Sequence, residues 1–344
     1  MGKFKRVTSM DVAKEAGVSR ATVSYILNDV QGVSIKETTK KKVIQAAKKL
    51  GYYPDSMAVA LKTNKAMSIG IVSKRNISEQ RYIKFLDGVK SAIGDNYSII
   101  LCSDHVDNFG YPEYYSYYKR KKIDGILFLS FQEHLAEEKI DDYLHMSVEE
   151  NIPIVFADYD LNNQVVNCVD INYYHGAYMA ASYLIKNGHR DIIYLTPDFD
   201  TKQEQQRRKG VEDAVNEHEG VKLIKYPIST DNDKEIEAVI EVLSKKDEYT
   251  AIITSWSKMA YTVLYQAQKL NINIPDEISV IALAGSNFDV YTYPKLTTCN
   301  LPLFVLGQKS AERLINILED TNTLPLNITL PCELKERDST KSNL

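Results

Sequence analysis

Arg20, Ser24 and Asn28 recur at four-residue spacing, with Ala21 and Tyr25 beside them. On a helix these five side chains share one largely polar face. A guanidinium, a hydroxyl, an amide and a phenol gathered in this way need a partner outside the core, and duplex DNA is the natural one. Its phosphates accept hydrogen bonds from such groups, and a guanine edge in its major groove matches arginine with two. Holding the face outward calls for two short helices at a sharp angle, and the flanking residues supply them. Thr8 and Asp11 have capping-box spacing. Val12, Ala13 and Ala16 give the first helix an apolar side, and Gly17 suits a left-handed turn. Ser19 is a natural N-cap for the second helix. Ala13 permits a close crossing, and Val23 points back into the angle. Alanine, glycine four residues on and valine six further is helix-turn-helix spacing. A helical hairpin used only for packing has the same outline, so charge must help decide.

The charge is uneven. Residues 1–62 hold twelve Lys or Arg against five Asp or Glu, a surplus of +7, while the whole chain carries −4 and the remainder therefore −11. A basic head on an acidic body is the footprint of nucleic-acid binding by the head alone. At 344 residues, 44% hydrophobic and 26% charged, the chain has the composition of a soluble protein of two or three domains. The opening MGKFKRV is charged without an apolar run, and no stretch approaches the ~18 apolar residues of a membrane span. Cys102, Cys168, Cys299 and Cys332 form no CxxC pair and read most simply as buried thiols in a reducing cytoplasm. The six histidines lack ligand spacing, so neither a metal nor a cofactor is expected.

Along the chain, Ser34 and Glu37 have the spacing of a second capping box, opening a third helix with an apolar stripe at Val43, Ala46, Ala47 and Leu50. Gly51 and Pro54 end it. DSMAVALKTNK (55–65) is too short to be a stable helix alone. It reads as a linker and, more sharply, as a helix that forms when two copies meet on DNA. Met57, Ala58 and Leu61 lie on one side of it, and Leu61 suits a minor-groove wedge. From Ser68 the pattern alternates. SIGIVS, YSIILC, GILFLS and PIVFAD, then VNCVDI, DIIYLT, TAIITS and SVIAL, are short β-branched runs separated by helical stretches. This predicts two α/β lobes with doubly wound parallel sheets. A helix over 303–318 and a strand at NITLP close the series, and 335–344 reads as a loose polar tail. No heptad repeat follows Leu334, so no coiled-coil tetramerisation segment is expected.

With these pieces in order, the chain resembles the lactose-repressor-like (LacI/GalR) family of bacterial transcription regulators. The resemblance runs from about 8 to 334 through DVAKEAGVS, ATVSYILN, VSIKETTKKKVIQAAKKLGYYPD, GAYMAASYLIKNGHRDIIYL, RRKGVEDAV, IPDEISVI and YPKLTTCNLPLFVLGQKSAERLINIL. It implies an all-α helix-turn-helix headpiece (1–54), a hinge (55–66) and a periplasmic-binding-protein-like core (67–334). Lobe 1 would take about 67–160 and 294–322, and lobe 2 about 161–293 and 323–334, including the final strand. It also implies a cytoplasmic homodimer that binds a pseudo-palindromic operator as a repressor and is controlled by a small metabolite, a sugar or sugar phosphate. Arg20, Ala21 and Tyr25 would read base edges. Thr8, Ser19, Thr22, Ser24 and Asn28 would hold phosphates or cap helices, and Met57, Ala58 and Leu61 would serve the hinge. Tyr25 replaces the family's usual arginine, which weakens guanine preference there.

The resemblance further implies an effector cleft between the lobes, with Asp158 accepting hydrogen bonds from sugar hydroxyls, Arg207 anchoring the ligand and Gln203 nearby. Elsewhere the family pattern breaks. Its Asn-Asp pair is Trp256-Ser257, its Gly-x-Asp-Asp run is Ala282–Gly285, and its first-strand loop carries Lys74, Arg75, Gln80, Arg81 and Tyr82. Fewer acids and more cations favour an anionic effector, such as a sugar phosphate, or one stacked on Trp256, the only tryptophan. Core packing of Trp256 and gating by a protein co-regulator stay open. A solute-binding protein is disfavoured by the basic head. An enzyme is disfavoured because the sequence shows no P-loop, GxSxG or metal constellation.

Overall fold

The computed structural model describes residues 7–28, 32–53, 65–73, 80–103, 105–129, 145–159, 166–320 and 323–343. The expected hinge helix with Met57, Ala58 and Leu61, and the cations Lys74 and Arg75, lie outside these residues.

Three helices make the headpiece: α1 (Ser9–Ala16), α2 (Arg20–Leu27) and α3 (Glu37–Leu50). Val12, Ala13, Val23, Val43, Ala46 and Ala47 form its core. So small a core leans on its helix ends. The Thr8–Asp11 capping box is formed in both directions, and Gly17 takes φ 69° and returns its N–H to the Ala13 carbonyl. The expected Ser34–Glu37 box is not formed. α3 starts later, with Lys36 as an N-cap that makes no side-chain bond, leaving Ser34 outside the helix. The Lys36 carbonyl instead takes the N–H groups of Thr39 and Lys40, while Glu37 places its charge at the positive helix end.

The core holds two six-stranded sheets. The first comprises β1 (Ser68–Ser73), β2 (Ser98–Cys102), β3 (Gly125–Leu129), β4 (Ile154–Ala157), β5 (Asn167–Ile171) and β11 (Asn327–Leu330), in the order β2-β1-β3-β4-β5-β11. The second comprises β6 (Asp191–Pro197), β7 (Lys222–Ile228), β8 (Ala251–Thr254), β9 (Ser279–Ala282), β10 (Thr297–Asn300) and β12 (Glu333–Lys335), in the equivalent order β7-β6-β8-β9-β10-β12. All neighbours are parallel except β12, which runs antiparallel to β10. β3, β4, β8 and β9 are buried along their whole length, as strands covered on both faces must be. In the first lobe α4 (Gln80–Ile93) packs on α10 (Leu303–Glu319), and α5 (Glu113–Lys119) lies between β2 and β3 in sequence. In the second, α6 (Tyr173–Lys186) packs on α7 (Lys202–Asn216), and α8 (Asn232–Ser244) on α9 (Ser257–Lys269). No helix among the described residues is long and apolar enough to cross a membrane.

Strand exchange corrects the expected lobe boundaries. β5 and β11 belong to the first sheet, and β10 and β12 to the second. The chain therefore passes between lobes after β5, after β10 and after β11. Strand–helix alternation reveals that a strand exists but not which sheet receives its hydrogen bonds. The expected loose tail is also corrected, because Ser339 and Thr340 are buried. Ser339 exchanges backbone and side-chain bonds with Val280 and Thr297, and Lys341 donates its N–H to Ser279. Its polar groups satisfy the backbone at the rim of the second sheet instead of facing water.

Gly210 sets the α6–α7 spacing. A Cβ there would stand 2.2 Å from the Tyr174 carbonyl oxygen and 3.1 Å from the Ala177 Cβ. Gly210→Ala is therefore expected to cost about 1–3 kcal/mol by overpacking, read as a lowered thermal midpoint. A loss below about 0.5 kcal/mol, typical of an open surface site, would show that the two helices separate freely.

Candidate functional site

Two places on the molecule gather chemistry. On the headpiece, Ser19 caps α2 by accepting from the Thr22 N–H at 3.1 Å. Val23 is turned inward, so Arg20, Ala21 and Tyr25 are exposed together. Arg20 Nε donates to Ser9 Oγ at 3.1 Å, which steadies the guanidinium against α1. Asn28 ends α2, its Nδ2 donating to the Ser24 carbonyl at 2.9 Å and to Ser24 Oγ at 3.2 Å. Thr8, Ser19, Ser24 and Asn28 are thus engaged in shaping helix ends, whereas Ala21 and Tyr25 present open surface.

The second place lies between the lobes. β4 is followed by Asp158, which adopts φ 60° while its N–H stays bonded to the Val169 carbonyl on β5. This kink turns a fully buried carboxyl toward the second lobe. Its Oδ1 accepts from the Tyr173 hydroxyl at 2.7 Å, and Gln203 Nε2 donates to its carbonyl oxygen at 3.3 Å. Arg207, one turn beyond Gln203 on α7, is 1% exposed and stacks over the Tyr173 ring at 4.6 Å. Its Nη1 donates to Glu204. Glu204 also accepts from Ser255 Oγ at 2.8 Å and from Trp256 Nε1 at 3.2 Å, and Tyr194 in turn bonds Ser255. One polar chain therefore runs from Asp158 in the first lobe to Trp256 in the second. Three of its atoms are buried and unpartnered: Asp158 Oδ2, Arg207 Nε and Arg207 Nη2. Buried polar atoms normally find partners, so such a set marks where a polar ligand would bond.

Burial pushes the Asp158 carboxyl up to about 8, helped by the nearby Asp170 charge and opposed by Arg81, the Tyr173 hydrogen bond and Arg207. Burial likewise raises the Tyr173 phenol well above its ordinary value. A carboxyl so placed keeps its proton more readily than an ordinary aspartate, and in its protonated form it donates as well as accepts.

Beside this chain lies a cleft of about 180 Å³ lined by Arg81, Lys84, Trp256, Ser257, Lys258, the 284–286 loop, Leu301 and Leu303. Of the residues the sequence singled out, Asp158, Gln203 and Arg207 come together in the polar chain, while Arg81, Trp256 and Ser257 line the cleft. Ser257 Oγ is occupied by the Ala284 carbonyl at 2.8 Å. Trp256 is half-buried, tilted against Phe199 at 5.7 Å, so it packs against the core and lines the cleft at once. Tyr82 is 2% exposed and lies in the apolar core with Phe85 and Val89, not among the lining residues. Lys84, Lys258, Tyr173, Glu204 and Ser255 escaped the sequence reading. Glu204 alone left a signal, its i, i+3 spacing from Arg207. No cluster of metal-binding side chains occurs among the described residues.

Comparison with known proteins places this geometry in context. Residues 8–55 match the family model described as bacterial regulatory proteins, lacI family, and residues 181–340 the periplasmic binding protein-like domain. The HTH-type transcriptional regulator RegA of Clostridium saccharobutylicum is 32% identical over 336 residues, 96% of this chain and 98% of that protein. The lac repressor dimer bound to operator and the anti-inducer ONPF shares the fold with TM-score 0.76 at 20% identity, over 98% of this chain and 100% of that one. The transcriptional regulator CelR–cellobiose complex does so with TM-score 0.66 at 24% identity, over 97% and 100%.

The raised Asp158 value has a stability consequence. An unfolded aspartate titrates near ~3.9, so between about pH 4 and pH 8 the native chain holds a proton that the unfolded chain releases. Stability from this group falls as pH rises through that window. Asp158→Asn removes the effect, and its thermal midpoint relative to the parent is expected to climb from pH 5 to pH 8. A constant difference would mean that the carboxyl is ionised throughout.

Proposed function

This chain belongs to the lacI family of bacterial regulatory proteins, and on that premise we propose that it is a cytoplasmic repressor, binding a pseudo-palindromic operator as a homodimer and gated by a small effector, a sugar or sugar phosphate. The outward face of α2 carries this reading: Arg20, Ala21 and Tyr25 stand exposed on a helix whose entry is fixed by the Gly17 turn and the Ser19 cap. In the proposed complex Arg20 and Tyr25 read base edges, and Ala21 touches a thymine methyl or leaves room. Thr8, Ser19, Thr22, Ser24 and Asn28 sit where helix ends meet phosphates. Met57, Ala58 and Leu61 form the hinge, with Leu61 as the minor-groove wedge.

The effector occupies the cleft between the lobes. Asp158, Arg207 and Gln203 bond it, while Arg81, Trp256 and Ser257 border it and Tyr82 supports the wall from behind. The lobes are already tied by the Gln203 and Tyr173 bonds to Asp158. A ligand that satisfies Asp158 Oδ2 and Arg207 Nη2 biases how the lobes sit, and differential affinity of about 5.5 kcal/mol takes the headpieces from almost wholly bound to almost wholly free. The Asp158–Arg207 arrangement is a clamp, not a reaction centre.

The test is selection of binding sequences from random duplex DNA, followed by titration with the full chain. Affinity is expected to fall steeply and linearly in log–log terms with salt. Arg20→Ala should cost about 1–3 kcal/mol and relax one base position, whereas Tyr25→Arg should shift the recovered half-site toward guanine. Salt-independent binding that Arg20→Ala leaves untouched would defeat the proposal.

A further inference from the structure

We propose that the cleft has two unlike ends, and that the chamber beside Trp256 takes the phosphate of a phosphorylated sugar whose hydroxyls bond Asp158 and Arg207. The inference rests on the effector reading above and names the ligand's chemistry.

Three cations from two lobes face one chamber: Arg81 and Lys84 from α4, and Lys258 from α9. Among the described residues, no carboxylate lines it. Two acids answer the lysines. Lys258 meets Glu235 at 3.1 Å, on the side of α8. Asp289 acts on Lys84, but its oxygens are already committed to the Tyr261 hydroxyl and the Ser286 N–H, each at 2.6 Å. Burial still lowers the Lys84 pKa, so the ammonium is short of compensation. The chamber is also where α9 begins, and Trp256, its N-cap, supplies no side-chain bond. The chamber therefore borders the first turn of a 13-residue helix, whose positive end favours anions, with the Ser257 N–H already taken by the Ala284 carbonyl.

The other end differs in kind. Asp158 Oδ2 and Arg207 Nε and Nη2 are buried without partners, Arg207 is held by Glu204, and burial favours the protonated form of Asp158, so these atoms suit neutral hydroxyls. Trp256 joins the ends, its indole lining the chamber while its Nε1 bonds the Glu204 that holds Arg207. Several separated donors around one space favour a tetrahedral dianion, which offers oxygens in several directions, over a planar carboxylate.

The experiment titrates the full chain with inorganic phosphate, with neutral hexoses and pentoses, with their phosphomonoesters and with the matching sugar acids. Trp256 fluorescence and calorimetry report binding. Inorganic phosphate at millimolar concentration is expected to perturb Trp256. One phosphomonoester should bind at least about tenfold more tightly than its neutral sugar. Lys84→Met and Lys258→Met should each weaken phosphate and phosphomonoester by about tenfold, while Lys222→Met, an exposed charge outside the cleft, should not. If neutral sugars bind as tightly as their phosphates, or if Lys84→Met changes nothing, the phosphate assignment falls and the cleft reading stands. Preference for a sugar acid over the phosphate also overturns it. If no probe binds or perturbs Trp256, both readings fall.

Discussion

Everything in the core depends on a polar chain sealed between two lobes. Asp158, Tyr173, Arg207 and Glu204 are each less than 5% exposed, yet the chain they form leaves a carboxyl oxygen and two guanidinium nitrogens without partners. An unpaired buried polar atom costs about 1–3 kcal/mol, so a protein bent only on stability would fill this space with apolar side chains. The arrangement holds because each charged group is partly answered: Arg207 by Glu204 and by the Tyr173 ring, Asp158 by the Tyr173 hydroxyl. What is left over is bonding capacity that a ligand can take up. On the effector reading, the same atoms that make the closed cleft uneasy make it responsive.

That responsiveness reaches the rest of the molecule through topology. Both sheets have the same strand order, and each contributes its strand ends to the cleft, where doubly wound folds bind ligands. Three passes of chain join the lobes. Two bonds, from Tyr173 and Gln203 to Asp158, cross the gap between the lobes. Because α4 carries cleft residues and packs along α10, a shift of one lobe moves a helix pair and not a lone side chain. The first lobe is also the one whose first strand, β1, follows the linker from the headpiece. Regulation in such a molecule is a competition between a few hydrogen bonds in the cleft and a helix face on DNA.

The headpiece works under a different constraint. Six buried residues form the centre of its core, so geometry is enforced by helix ends as much as by packing. The reciprocal Thr8–Asp11 bonds, the left-handed Gly17 and the Ser19 cap are local devices, and together they aim α2 outward. Arg20 bonds Ser9 of α1, so the exposed face of α2 is tied to the same turn.

Local devices are what a sequence states openly. The helix-turn-helix, its caps and the outward set at Arg20, Ala21 and Tyr25 depend on spacings of three, four and six residues, which backbone geometry converts directly into faces and turns. The alternation of β-branched runs with amphipathic stretches likewise fixed two α/β lobes, and Asp158 at the end of PIVFAD was marked by its position after a strand. Partnerships across the sequence were decided only in three dimensions. β5 and β10 sit in sheets opposite to those assigned from chain order, because backbone hydrogen bonding in a sheet leaves no imprint on residue type. Ser339 looked like solvent-facing tail and is buried, because its polar groups were needed by the Val280 and Thr297 backbone. Tyr173, Lys84 and Lys258 gained their meaning from neighbours 15 to 205 positions away. A charge or a phenol reads the same in a sequence whether it meets water or a buried partner, and only the folded chain brings the two lobes close enough to choose.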